Sequence, residues 1–337
     1  MPETVLITGI SGQDGSLLSR KLISEGKNVV GTFRRGNSSP MWRLDEMSIK
    51  NKVQLIELDL QDQYGILKLL DKYEPEKIYH LAADGFVADS FNHPKKTFDS
   101  NINTTLNILE SLRYRNSKIW TFLASSSEVY SGLEVDLINE LNSYKTINPY
   151  GLSKLVCLEL ADIYSNIYGL NIASGIFFNH ESPWRAKNYV TRKISFNIAR
   201  MKKGFGEPFN LGNLETSRDW SSAEDFIVAL SKLGDLKSTG KFIFASGRKC
   251  LLRDFVREVC KAADFEPLFV GDGVDEICKD KRTGKIICHV DKKYFRPLDT
   301  KGKIGDASKL KKEVNWTGSR SIQEIAKSML YSDLARI

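Results

Sequence analysis

Apolar residues recur along this chain with two alternating periods. Short runs rich in β-branched and aromatic residues read as buried strands over 4–8, 28–33, 53–58, 77–80, 119–124 and 171–178. Between them the apolar positions return at helical spacing. They do so first at Leu17, Leu18, Leu22 and Ile23, then over 101–113, then around Leu155, Val156, Leu158, Leu160, Ala161 and Tyr164. This alternation predicts an α/β fold, a doubly wound parallel sheet with helices on both faces. From about Asn179 the pattern turns irregular and more polar. A strand over 241–246 and helices over 251–264 and 322–334 follow, and Ser321 with Glu324 spells a capping box. The stretch 279–285 reads as an exposed charged hairpin or loop.

The first strand runs straight into Gly9-Ile10-Ser11-Gly12-Gln13-Asp14-Gly15, and a helix follows. Strand, glycine turn, helix is the setting of a dinucleotide site: the glycines let the backbone approach a pyrophosphate on the helix N-terminus. The sheet is therefore expected to be of the Rossmann kind, with Gly9, Gly12, Gln13, Asp14 and Gly15 at the cofactor. The second strand ends without an acid for the ribose hydroxyls, and Arg34 and Arg35 stand there instead. Two guanidiniums suit a 2′-phosphate, so the expected cofactor is NADP. Asp59 and Leu60 follow the third strand on the adenine side. Leu81-Ala82-Ala83 closes the fourth and is small enough to let a cofactor pass.

Two further motifs carry chemistry. Ser125-Ser126-Ser127-Glu128-Val129-Tyr130 ends a strand, and Tyr150-Gly151-Leu152-Ser153-Lys154 opens a helix. On that helix Tyr150 and Lys154 share a face. The ammonium is expected to lower the tyrosine pKa below its ordinary value of about 10, readying it to take a hydroxyl proton. Glu128 is a carboxylate that simple dehydrogenation does not need.

Taken with Asn179-His180-Glu181-Ser182-Pro183, Val190-Thr191-Arg192-Lys193-Ile194, Arg218-Asp219-Trp220 and Tyr294-Phe295-Arg296-Pro297, these motifs resemble the GDP-mannose 4,6-dehydratase family of extended short-chain dehydrogenases/reductases. The resemblance implies a redox-neutral sequence of oxidation, water loss and reduction on a GDP-sugar. It assigns catalysis to Ser126, Ser127, Glu128, Tyr150 and Lys154. Lys154 would also hold the nicotinamide ribose. Asn179, Val190, Lys193, Arg218, Arg296 and Asp299 would bind the nucleotide sugar. The implied division is 1–178 for the NADP-binding domain, completed by about 213–246, with 179–212 and 247–337 forming the nucleotide-sugar domain.

This chain departs from the family pattern at Asp84-Gly85-Phe86, at Ser131, at Trp184 (an arginine position) and at Asp299 (a glutamate position). The departures leave the sugar open between GDP-mannose, a GDP-heptose and a GDP-amino sugar. A nucleotide-sugar reductase or epimerase would keep counterparts of Ser126, Tyr150 and Lys154 but has no need of Glu128. A cofactor-sensing scaffold would typically have lost the tyrosine or the lysine.

Composition narrows the classes further. The 337 residues suffice for one large or two coupled domains. The net charge of +7 comes from cations interleaved with acids, which fits a protein binding two pyrophosphates better than a nucleic-acid binder. No apolar run reaches membrane-spanning length, and the start of the chain lacks a signal pattern. Five scattered cysteines without a C-x-x-C pair fit reduced thiols in a cytoplasm. The histidines lie far apart, so no metal site is expected. Homo-oligomerisation is expected by resemblance, as a dimer through a stripe at Ile102, Leu106, Leu109 and Leu112 beside Val156 and Leu160, or as a tetramer.

Overall fold

Repeated strand–helix units carry the first half of the chain across one sheet. A computed structural model describes residues 2–34, 41–295, 302–316, 318 and 320–337. In chain order it holds β1 (Thr4–Thr8), α1 (Gln13–Ser24), β2 (Asn28–Phe33), α2 (Trp42–Glu46), β3 (Val53–Glu57), α3 (Gln63–Tyr73) and β4 (Lys77–His80). Next come α4 (Val87–Asn92), α5 (Pro94–Phe98), α6 (Thr104–Tyr114), β5 (Trp120–Ser126), β6 (Leu137–Ile138), α7 (Pro149–Tyr168) and β7 (Ile172–Phe177). The second half adds β8 (Asn179–Glu181), α8 (Val190–Lys202), β9 (Phe209–Leu211), β10 (Ser217–Ser222), α9 (Ala223–Leu236), β11 (Gly240–Phe244) and β12 (Lys249–Leu251). It closes with α10 (Leu252–Ala262), β13 (Pro267–Val270), β14 (Ile277–Asp280), β15 (Ile286–Val290), β16 (Ile304–Gly305), α11 (Ser308–Val314) and α12 (Ile322–Arg336).

Seven strands form the main sheet in the order β11-β7-β5-β4-β1-β2-β3, every neighbouring pair parallel. The order reverses between β1 and β4, which opens the crevice where such sheets bind ligands. Strand alternation splits the core into two layers. Val5 and Ile7 of β1 face α1 and α9, among Leu18, Phe226 and Phe244. Leu6 faces the other way, among Leu70, Ile108 and Leu123. A third cluster packs α8, α10 and α12 against β9, β14 and β15. Leu310, Val314 and Trp316 join the first layer, so α11 sits with the large sheet although it lies within the expected 247–337 unit. The capping box at Ser321 and Glu324 is formed, and 281–285 turns between β14 and β15.

Two local differences from the expected elements have physical causes. The helix expected over 101–113 begins as a π turn at Asp99–Asn103. Asn101 there turns inward, accepting from the Asp84 amide at 2.8 Å and donating to Ser153 Oγ at 2.9 Å. A widened turn beside a functional cleft is where such bulges concentrate. In the expected oligomer stripe, Leu109 and Leu112 are buried inside this chain's own core with Ile108, packed beside α3. They leave no surface for a partner. The exposed apolar positions are Leu152, Ile163 and Ile167 on α7, flanked by half-buried Val156, by Ile102 on the π turn, and by Leu106 and Leu160, which also pack on the same core.

Candidate active site

The glycine turn is shaped by close approach. Gly9 has φ +70°, and a Cβ there would lie 2.8 Å from the Ala82 backbone; one on Gly15 would lie 2.4 Å from Gly9 O. Any side chain would push β1, the turn and Leu81-Ala82-Ala83 apart. Gly12 is the N-cap of α1 and supplies no side-chain cap, leaving the first-turn amides for phosphate oxygens. Around that turn the side chains close on a distant strand. Asp14 Oδ2 meets His180 Nε2 at 2.9 Å, Gln13 Oε1 accepts from Ser182 Oγ at 2.8 Å, and Gln13 Nε2 donates to His180 O at 3.2 Å. Gln13 and Asp14 therefore leave only their backbones to the glycine turn, while their side chains hold the β8 segment in place.

Despite the cost of burial, the interaction with His180 holds the Asp14 carboxyl down at about 2. His180 is correspondingly raised by Asp14 against the opposing effect of its burial. Its other nitrogen, Nδ1, lies 2.8 Å from Phe178 O. Two acceptors on one ring favour the imidazolium.

Arg34 follows β2 on the surface, on the rim of a cleft of about 510 Å³ that Gln61, Asn92 and Lys96 also line. Asp59 accepts from the Gln61 amide at 3.0 Å, and Leu60 is buried with its carbonyl held by Asn107 at 3.0 Å. Ala82 N–H donates to Thr8 Oγ1 at 3.2 Å, and Ala83 is exposed beside it. Arg35 lies outside the described residues, as do Arg296 and Asp299.

The strand end of β5 and the first turn of α7 meet beside the crevice. Ser126 and Tyr150 are both buried, and Ser126 Oγ accepts from the Glu128 amide at 3.3 Å. Lys154 Nζ donates to Ala124 O at 2.9 Å. Here the structure corrects one expectation. Burial pushes the Tyr150 pKa above its ordinary value, only partly opposed by Ser126. The Lys154 pKa is lowered by its own burial. The ammonium is turned to the Ala124 carbonyl, so on its own it does not bring the phenol down.

Ser127 and Glu128 open a short 3-10 turn and are half-buried. Asn148 Nδ2 donates to Glu128 Oε2 at 2.8 Å. A Cβ on Gly151 would lie 2.6 Å from Glu128 O, so glycine lets the tyrosine helix start against the glutamate turn.

On the other side of the crevice, β8 pairs with β10 so that Asn179 faces Trp220. Arg218 sits two residues earlier on β10. Its neighbour Asp219 is buried and accepts from the Ser246, Gly247 and Gly305 amides, tying three segments together. Val190 opens α8. Lys193 Nζ donates to Asn210 O at 2.6 Å and lies 4.0 Å from the Tyr294 ring centroid.

The departures from the family pattern acquire contacts. Asp84 pairs with Lys96 at 3.1 Å, and Phe86 packs edge-on to Tyr189. Trp184 stacks near Trp42, with the Arg336 guanidinium against both rings. Arg43 donates to Trp184 O and Ser11 O, linking this layer to the glycine turn.

His180, Asn148 and Arg43 are absent from the site read in the sequence. Asn148 had a signal, an N-cap residue before proline at the helix start. His180 meets Asp14 across 166 residues and Arg43 meets Trp184 across 141, and no local pattern reports such partners. Among the described residues, no group of three or more histidine, cysteine, aspartate or glutamate side chains converges to hold a metal ion.

Comparison with known proteins places this geometry. Residues 6–329 match the family model described as GDP-mannose 4,6 dehydratase. A GDP-mannose 4,6-dehydratase of Yersinia enterocolitica is 33% identical, over 98% of this chain and 93% of that protein. The human GDP-mannose 4,6 dehydratase is 32% identical over 98% and 91%. Among solved structures, a putative epimerase from Burkholderia cenocepacia superposes with TM-score 0.82 at 23% identity, covering 99% of both chains. The dTDP-glucose 4,6-dehydratase of Bacillus anthracis, in complex with NAD, gives 0.80 at 15% identity over 98% and 96%. These structures share the fold.

Proposed function

The chain belongs to the GDP-mannose 4,6-dehydratase family, and from that premise we propose how its own residues convert GDP-mannose to GDP-4-keto-6-deoxymannose. It is an NADP-dependent lyase. Bound NADP supplies the redox chemistry, a hydride exchanged first with carbon 4 and then with carbon 6, so no net oxidation remains. Gly9, Gly12, Gln13, Asp14 and Gly15 would hold its pyrophosphate, Arg34 its 2′-phosphate, Asp59 and Leu60 its adenine side, and Lys154 its ribose. The tight Gly9–Ala82 approach supports that fit.

Ser126 orients the 4-oxygen of the sugar, and Tyr150 takes the proton of the 4-hydroxyl. Because burial keeps the resting phenol protonated, a cationic ring in the cleft and a Lys154 turned from Ala124 toward the ribose would lower its pKa. The 4-ketone acidifies the hydrogen on carbon 5. Glu128 removes that proton, the carbon 6–oxygen bond breaks, and the departing hydroxyl carries a proton from Glu128 away as water. Ser127 stands next to Glu128 to steady the leaving oxygen. Carbon 5 regains a proton when carbon 6 is reduced.

One observation carries this reading: a carboxylate held at 2.8 Å by Asn148 on the turn that follows Ser126, where a dehydrogenase or epimerase has no use for a base. We place the GDP moiety along Asn179, Val190, Lys193 and Arg218. We also propose a cytoplasmic homodimer through α6 and α7, supported by the exposed stripe there and by free thiols at all five cysteines. The test is incubation of purified protein with a panel of GDP-sugars under mass spectrometry. GDP-mannose alone should lose one water; an unchanged mass with every sugar would refute the assignment.

A further inference from the structure

Asn148 holds two groups that the chemistry needs together. Its Oδ1 accepts the Gly151 amide at 2.7 Å and caps the helix that carries Tyr150. Its Nδ2 donates to Glu128 Oε2 at 2.8 Å, with Ser131 Oγ at 3.5 Å behind it. The amide is buried, and only one orientation works. Turned over, it would set oxygen against a carboxylate and an amino group against an amide N–H. A bond from a neutral donor to a carboxylate is charge-assisted and directional.

We infer that Asn148 is the positioning residue of the elimination step. By fixing Oε2 it leaves Oε1 of Glu128 as the oxygen that receives the carbon 5 proton. Through the cap it sets that oxygen in register with Tyr150, two residues further on. Ser131, a departure from the family glycine, completes the polar floor: it accepts the Ile147 amide at 3.2 Å and so holds the segment leading into Asn148. The inference rests on Glu128 being the base.

Two substitutions separate this role from helix capping. Asn148→Ser and Asn148→Asp both keep an oxygen for the Gly151 amide, and both residues cap well. Aspartate has no donor for Glu128 and sets a second carboxylate against it; the single serine hydroxyl ends one bond short of Nδ2 and cannot cap Gly151 and reach Glu128 as the amide does. Each NADP-loaded variant is mixed rapidly with GDP-mannose while reduced cofactor is followed by absorbance. In Asn148→Asp, reduced cofactor should accumulate transiently, with elimination slowed on the order of 100-fold. The pH–rate profile of elimination should also shift, because a second carboxylate sets a like charge beside the base. Asn148→Ser should slow elimination without moving the pH limb. Both melting temperatures should stay near the wild-type value. Wild-type turnover in both variants would overturn the inference, provided that Glu128→Gln still accumulates reduced cofactor. Equal slowing of oxidation and elimination with a lowered melting temperature would overturn it as well. Wild-type turnover in Glu128→Gln would overturn the base assignment, and this inference with it.

Discussion

Asp14 and His180 meet at 2.9 Å from opposite sides of the crevice, 166 residues apart in the chain. One belongs to the glycine turn that we propose for the cofactor, the other to the strand that carries Asn179. Their contact ties the glycine turn to β8, and it is a charged contact with a definite pH range.

His180 has a raised pKa, so its contribution is whole below the ordinary value of 6.5 and is lost as pH rises through the raised one. Asp14 is depressed to about 2 from 3.8; its contribution is whole above 3.8 and is lost as pH falls toward 2. The contact therefore works between those limits. His180→Asn should cost about 1–2 kcal/mol near pH 5.5 and clearly less near pH 9. Thermal unfolding at both pH values checks this, and an equal gap at the two would contradict it.

Gly151→Ala tests the seam between the two catalytic motifs. In an ordinary helix the change is worth about 0.5–1 kcal/mol of added stability. Here the new Cβ would meet Thr146 Oγ1 at 2.1 Å and Glu128 O at 2.6 Å. The expected result is a loss of about 1–3 kcal/mol and slower water elimination. Denaturant unfolding with product assays reads both; a stabilised, fully active variant would show that the seam has slack.

Arg34 follows β2 on the rim of the cleft in which we propose that a 2′-phosphate sits. Arg34→Ala should weaken NADPH binding by about 1.5–3 kcal/mol and leave NADH binding nearly unchanged. Fluorescence titration of both cofactors measures the difference. Equal weakening would remove Arg34 from the phosphate site.

The outward stripe of α7 is strongly apolar, with Ile163 45% and Ile167 70% exposed. Beside Leu106 it forms a surface that a second copy would cover. Burying a large aliphatic side chain is worth about 1.5–3 kcal/mol. Ile163→Arg should therefore turn a dimer into a monomer at micromolar concentration with turnover chemistry intact per folded chain. Light scattering decides it, and a wild-type monomer at every concentration would end the proposal.

Much of this architecture is legible in the amino-acid sequence itself. The sheet strands follow from β-branched runs, because strands covered on both faces must be apolar throughout. The glycine turn and the Tyr150–Lys154 pair follow from spacing that is local by nature. Partners far apart in the chain leave no such trace. His180 reads as an isolated histidine because Asp14 reaches it only through the fold. Leu109 reads as part of a surface stripe because periodicity reports which residues share a face, not what covers that face. The Tyr150 pKa departs from expectation for a related reason. The i, i+4 spacing places the ammonium nearby, but burial of the phenol and the pull of the Ala124 carbonyl on Lys154 outweigh it.

The most direct measurement of the central claim uses GDP-mannose carrying deuterium on carbon 4, incubated in ordinary water with NADP-loaded protein. The account predicts a product lighter by one water, with the deuterium now on carbon 6 and a solvent hydrogen on carbon 5. No free reduced cofactor should accumulate. Product of unchanged mass inverted at carbon 4, or deuterium lost to free reduced cofactor in step with turnover, would contradict it.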